Sequence, residues 1–289
     1  MASPMKEIAP DVYASTEYPG VNVGFIVTPA GAIAVDTPTL PTDAHAWRQK
    51  ILKTTGGSIL YVLLTDAHPD RLLSAKVLCG PEGAPIVAAR QAYERASDYT
   101  DGFWRGVVEG WARRYPEAAD DLAGTPIALP EIMFTHMLTL HKGEMDVTVR
   151  HVAGAAPGSA WLYLPDQDVL FAGDTLVADT HPYLNAAPDT KAWLKTLTML
   201  RRARFARTTI LPGRGPLCDQ EASRPLSEYI ALARRRVRSL LTAEQARVDM
   251  TALVAEMLPL FPVSDDDRDL VQRRIKAGMD QIYEELQTV

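Results

Sequence analysis

Apolar and polar residues alternate along residues 7–38. That is the period of strands burying one face, and the stretch is expected to form hairpins. Val21 to Val27 and Ala32 to Val35 are the clearest runs. Residues 42–54 change to helical spacing. Ile59 to Leu64 is a short continuous apolar run, as in a strand covered on both faces. Leu72 to Leu78 reads as a helix, Pro85 to Ala89 as a strand, and residues 91–123 as polar and helical. Strands are expected to resume at Ile127, Met137, Val147, Ala160 and Val169, with Asp166 in the turn before the last. A helix from Asp189 to Ala203 and a strand at Thr208 to Leu211 close this part. Strands alternating with helices predict an α/β fold.

The pattern changes after residue 217. Leu226, Ile230, Ala233, Val237 and Leu241 recur at helical spacing, and strand signals are few. Pro259 and Pro262 interrupt the region. Ser264 followed by Asp265 reads as a helix start. A last helix to about Gln287 would bury Leu270, Ile275, Met279, Ile282 and Leu286. We therefore expect one domain over residues 1–217 and a helical extension over 218–289, packed on the core or at a homodimer contact.

Composition narrows the class. The chain has 289 residues, 47% hydrophobic and 23% charged, as in a soluble globular protein. Its net charge of −6 argues against nucleic acid as a partner. The arginines at 234, 235, 236 and 238 then read as a solvated helix face. Cys79 and Cys218 are too few for a disulfide framework. Met1 to Tyr13 has no signal-peptide pattern and no run is long enough for a membrane span, so a cytoplasmic location is expected.

Four short segments carry the chemistry. Thr65-Asp66-Ala67-His68-Pro69-Asp70-Arg71 follows the buried strand. Gly154-Ala155-Ala156-Pro157-Gly158-Ser159 is a turn. Val169 to Thr175 is a strand ending in Gly173-Asp174-Thr175. Pro212-Gly213-Arg214-Gly215 comes last. A lone Asp-x-His-x-Asp is usually a polar loop; four such segments in order at strand ends are specific. Together they resemble the metallo-β-lactamase superfamily, from about residue 7 to about residue 217. The resemblance implies a four-layer αββα sandwich. It also implies a dinuclear zinc site, whose His-x-His-x-Asp-His motif falls on Asp66, His68, Asp70 and Arg71. The histidine slots of the turn and of the last segment fall on Ala155 and Arg214. Asp174 takes the bridging position, Asp36 lies near the site, and His181 and Tyr183 border the cleft.

Ligand chemistry decides what such a site can hold. A two-metal centre needs about twice the three protein ligands of a catalytic zinc. The first set is reduced to Asp66, His68 and Asp174. The second would draw on Asp70, Arg71, Arg214 and Asp174, and a guanidinium has no lone pair for a metal. We expect Arg71 and Arg214 to pair with Asp66, Asp70 and Asp174 in a salt-bridge cluster, with protonated His68 closing the balance. His45, His136, His141 and His151 lie outside the ligand slots.

Three readings follow. In the first, the chain is a metal-free pseudoenzyme with no cofactor, whose cleft binds a small anionic ligand. In the second, one zinc or other divalent metal on Asp66, His68 and Asp174 activates water for ester, thioester or lactone hydrolysis. In the third, His68 or an aspartate is a metal-independent acid–base.

Overall fold

The computed structural model describes residues 5–142, 145–242 and 250–287. Residues 1–4 of the segment read for a signal peptide lie outside it. The first sheet starts with two hairpins, β1 (Lys6–Ala9) with β2 (Val12–Ser15) and β3 (Val23–Thr28) with β4 (Gly31–Val35). Helix α1 (Pro41–Thr55) crosses to β5 (Ile59–Leu63). Short helices α2 (Pro69–Leu72) and α3 (Ala75–Cys79) lead to β6 (Ile86–Ala89). Helices α4 (Arg90–Ser97), α5 (Asp101–Arg114) and α6 (Ala119–Gly124) lead to β7 (Ile132–Phe134). These seven strands lie in chain order, with β4 to β7 parallel.

The second sheet has five strands in the order β12-β11-β10-β9-β8. They are β8 (Met137–Lys142), β9 (Met145–His151), β10 (Ala160–Leu164), β11 (Val169–Val177) and β12 (Thr209–Arg214). Helix α7 (Thr190–Leu200) joins β11 to its parallel neighbour β12. Helices α8 (Ser223–Thr242), α9 (Met250–Met257) and α10 (Arg268–Gln287) follow.

Alternation along the strands builds the layers. Ile33, Val35, Leu63 and Val87 meet Val149, Leu162, Val169 and Phe171 between the sheets. Ala34, Val62 and Ile86 point the other way, onto Trp47 and Ile51 of α1. The outer face of the second sheet packs Leu170, Leu176 and Val177 on Trp193, Ile230 and Met279. The result is the expected four-layer αββα sandwich with helices appended at its C-terminal end. Among the described residues, no helix is long and apolar enough to cross a membrane.

Several boundaries differ from the pattern reading. No strand forms at Ile127; β7 begins at Ile132. Pro126 and Pro130 flank Ile127, and proline cannot donate to a ladder. The helix expected over Leu72 to Leu78 is two, divided at Leu73 and Ser74. Residues 91–123 divide into three helices and a 3₁₀ turn. Asp189 lies outside α7 as its cap, its carboxylate accepting from Ala192 N at 2.8 Å. Ser264 caps a turn, accepting from Asp267 N at 3.2 Å, and regular helix starts at Arg268.

Candidate ligand cleft

Strand ends bring the chemical segments together. Asp36 ends β4, with φ +57°. Its carboxylate accepts from Thr65 N at 2.8 Å and Thr65 Oγ at 2.7 Å, which ties β4 to the loop after β5. Asp66, His68, Asp70 and Arg71 follow on that loop and α2. Asp174 lies within β11 and Arg214 ends β12. A Cβ on Gly213 would run into Asp174 Oδ1, and one on Gly173 would come within 2.5 Å of Thr65 Oγ1. Glycine at both places lets the three strand ends converge.

Arg71, fully buried, is the centre of this convergence. Its Nη2 donates to Asp174 Oδ1 at 2.8 Å, and its Nη1 to Asp174 Oδ2 and Asp66 Oδ1, each at 3.2 Å. Its Nε lies 3.0 Å from Asp36 Oδ2, an ion pair without hydrogen-bond alignment. One guanidinium thus meets three carboxylates. Arg214 donates to Asp174 Oδ2 at 3.2 Å, to Asp70 Oδ2 at 3.1 Å and to the Gly20 carbonyl. Trp111 of α5 donates its indole N–H to Asp70 Oδ1 at 3.0 Å.

The charges divide unevenly. Burial works to raise Asp174, but Arg214 and Arg71 outweigh it and hold the carboxyl well below its usual range. Burial also works to raise Asp70, and His68, Arg214 and the Trp111 hydrogen bond more than reverse it. Asp66 goes the other way: burial pushes it up and Arg71 compensates only in part. Its Oδ2 is buried with no hydrogen-bond partner. Burial lowers His68. Two N–H groups, from Asp70 and Arg214, face His68 Nδ1 at 3.3 Å each, so that nitrogen is an acceptor. Nδ1 also lies 3.4 Å from Asp70 Oδ2, and burial works toward the neutral imidazole, against the protonated form expected from the sequence. Arg274 of α10 lies near the cluster: burial lowers its pKa, and Tyr183, Asp70 and Asp174 work in the opposite direction without reversing it.

Arg274 was not among the sequence candidates. It donates to the Tyr183 hydroxyl at 2.6 Å and to the His181 carbonyl at 3.3 Å. Its Cζ lies 3.9 Å from the Tyr183 ring centroid, and that of Arg214 lies 4.3 Å away. Its spacing, four residues after Leu270 and four before Gly278 on the buried stripe, was the available signal. Tyr183 and Arg274 divide the cleft into two chambers. One, about 330 Å³, is lined by Arg214, Trp111, Arg114 and Asp267; the other, about 320 Å³, by His68, Tyr99 and Phe103. Tyr183 borders both, as expected. His181 borders neither: its ring is buried, with Nδ1 3.2 Å from Tyr229 Oη and Nε2 3.1 Å from the Leu258 carbonyl.

The residues present do not fit the family's metal. A divalent ion would need lone pairs from Asp66, His68 and Asp174. Both Asp174 oxygens accept from guanidinium groups, and His68 Nδ1 accepts from a backbone N–H. Arg71 Nη1 fills the space between Asp66 and Asp174. Among the described residues, no group of three or more His, Cys, Asp or Glu is arranged to hold a metal.

The fold and the four segments place the molecule among the αββα hydrolase-like proteins. The sequence model of the metallo-beta-lactamase superfamily matches residues 18–214, and the chain belongs to that superfamily. No curated protein sequence matches it. A metallo-beta-lactamase from Pontibacter korlensis superposes with a TM-score of 0.60 at 18% identity, over 79% of this chain and 99% of its own. The stereoselective inverting sec-alkylsulfatase Pisa1 from Pseudomonas sp. superposes with a TM-score of 0.72 at 14% identity, over 98% of this chain and 50% of its own. At such identities the likeness concerns the fold alone. The alkylsulfatase match covers more of this chain and so reaches into the C-terminal helices.

Proposed function

We propose that this chain is a metal-free member of the superfamily whose cleft binds a small anion. The observation that carries the reading is the unequal pairing of its arginines. Arg71 and Arg214 occupy former ligand slots and are matched by Asp36, Asp66, Asp70 and Asp174. Arg274 lines both chambers, and the contacts it makes are to a hydroxyl and a carbonyl. Burial lowers its pKa, Asp70 and Asp174 offset that only in part, and among the described residues no carboxylate forms an ion pair with it. A bound anion would supply that partner. The anion contact in this reading is Arg274.

One observation favours the hydrolase reading. Asp66 Oδ2 keeps a free lone pair in the buried cluster. A metal there would also need Asp174, which two arginines hold.

Thermal melting of chelator-treated protein separates the two. Inorganic sulfate or phosphate should raise the melting temperature saturably, as any ligand of the native state does. The rise should vanish in Arg274→Gln, and zinc should give no saturable rise. A saturable zinc effect lost in His68→Ala would overturn the proposal in favour of the mononuclear hydrolase.

A further inference from the structure

We infer that the chamber beside His68 is where the anion binds, and that its ligand is a small organic anion with a flat apolar body. The inference rests on the anion reading above and adds the chamber and the ligand's shape.

The two chambers differ in charge. The one beside Arg214 includes Asp267, which is paired with Arg114 at 2.8 Å. Among the described residues, the lining of the other holds Arg95, Arg273 and Arg274 and no carboxylate. The His68 ring lines it too, and with Nδ1 occupied as an acceptor its remaining polar edge is an N–H donor. Three arginines and the His68 imidazole thus contribute donors to this lining, groups that a carboxylate, sulfonate or phosphate can accept from.

The lining is also aromatic. Tyr99 and Phe103 are stacked, with centroids 4.1 Å apart and planes 10° from parallel. Tyr99 is held there by its hydroxyl, which donates to the Ala67 carbonyl at 3.0 Å. Phe103 is 36% exposed, one of few large apolar side chains on the surface. Ala156 and Pro157, from the turn after β9, complete the apolar part. Arg95 reaches this aromatic part, its Cζ 5.0 Å from the Tyr99 ring centroid. An inorganic anion would use the cations and leave Phe103 wet. A ring or short branched chain would cover it, and burial of apolar surface is favourable. The volume of about 320 Å³ is at the small end of ligand pockets and suits one ring.

Titration calorimetry of the full chain after chelator treatment tests this with four probes: sodium sulfate, benzenesulfonate, benzoate and neutral benzyl alcohol. Both aromatic anions should bind about tenfold or more tightly than sulfate, and benzyl alcohol should give no saturable heat. Arg273 is exposed, and Arg273→Gln should weaken both aromatic anions about fivefold. Phe103→Ala should bring them down toward sulfate and leave sulfate unchanged. Unaltered melting temperatures would show that both variants fold. A stronger benzoate than benzenesulfonate would assign a carboxylate head, and the reverse a sulfonate-like one. If sulfate binds as tightly as the aromatic anions and Phe103→Ala changes nothing, the organic-anion inference is overturned while the anion reading stands. If no anion binds, or benzyl alcohol binds equally, both fall.

Discussion

Two sets of arginines lie around the cleft and differ in their partners. Arg71 and Arg214 arise from α2 and β12 and meet carboxylates within a buried cluster. Arg274 and Arg273 arise from α10, with Arg95 of α4 near them, around a chamber whose lining has no carboxylate among the described residues. The first set balances charges that the fold cannot expose. The second set leaves positive charge facing a cavity. A matched buried arginine reports on stability, and an unmatched one at a cavity reports on binding.

The largest break in that comparison should come from Arg71→Met. It keeps an unbranched chain but leaves Asp36, Asp66 and Asp174 without their common partner. Removal of one member of a buried ion pair costs about 3–5 kcal/mol. The melting temperature should fall by on the order of 10 °C, and differential scanning calorimetry would measure it. Arg214→Ala should cost roughly half as much, because Arg214 lies at the edge of the cluster and water can reach it in part. Little change in either variant would mean that the cluster is not what holds these strand ends together.

Acid titration sharpens the comparison within the cluster. Asp70 and Asp174 are held low in the folded state. Their contribution is complete above the unfolded value of about 3.9 and is lost as pH falls through their folded values. Asp66 is raised. Its contribution has the opposite sign: it is present below about 3.9 and lost as pH rises through the folded value. Asp174→Asn should therefore destabilise strongly at neutral pH and flatten the acid limb. Asp66→Asn should be the mildest aspartate change in the cluster. Urea midpoints across about pH 3 to 7 would show this, and equal losses for the two variants would contradict it. The smallest effect should come from Trp111→Phe, about 1 kcal/mol for the indole bond to Asp70.

Much of the sandwich and the cluster was legible because both depend on local signals. The apolar run at Ile59 to Leu64 and the glycines before Asp174 and Arg214 mark strand ends, and strand ends converge in this fold. What the sequence hid depends on contacts between distant segments. Asp36 becomes the third partner of Arg71 through the parallel pairing of β4 with β5. Trp111 packs against Leu40 and Leu73, and its indole also reaches Asp70, a contact between segments 41 residues apart. The stripe on α10 predicted a buried face without saying what it would cover, so Arg274 and the division of the cleft were not visible. The burial of His68 and the two N–H donors that converge on its Nδ1 arise only in the folded chain.

The central claim is that arginines, not a metal, complete this site. Metal content per chain tests it most directly, by plasma mass spectrometry on protein purified without chelator and then soaked in zinc. Under about one-tenth of an equivalent is predicted, as for a site whose donors are already taken. About one equivalent, lost in His68→Ala, would contradict the account.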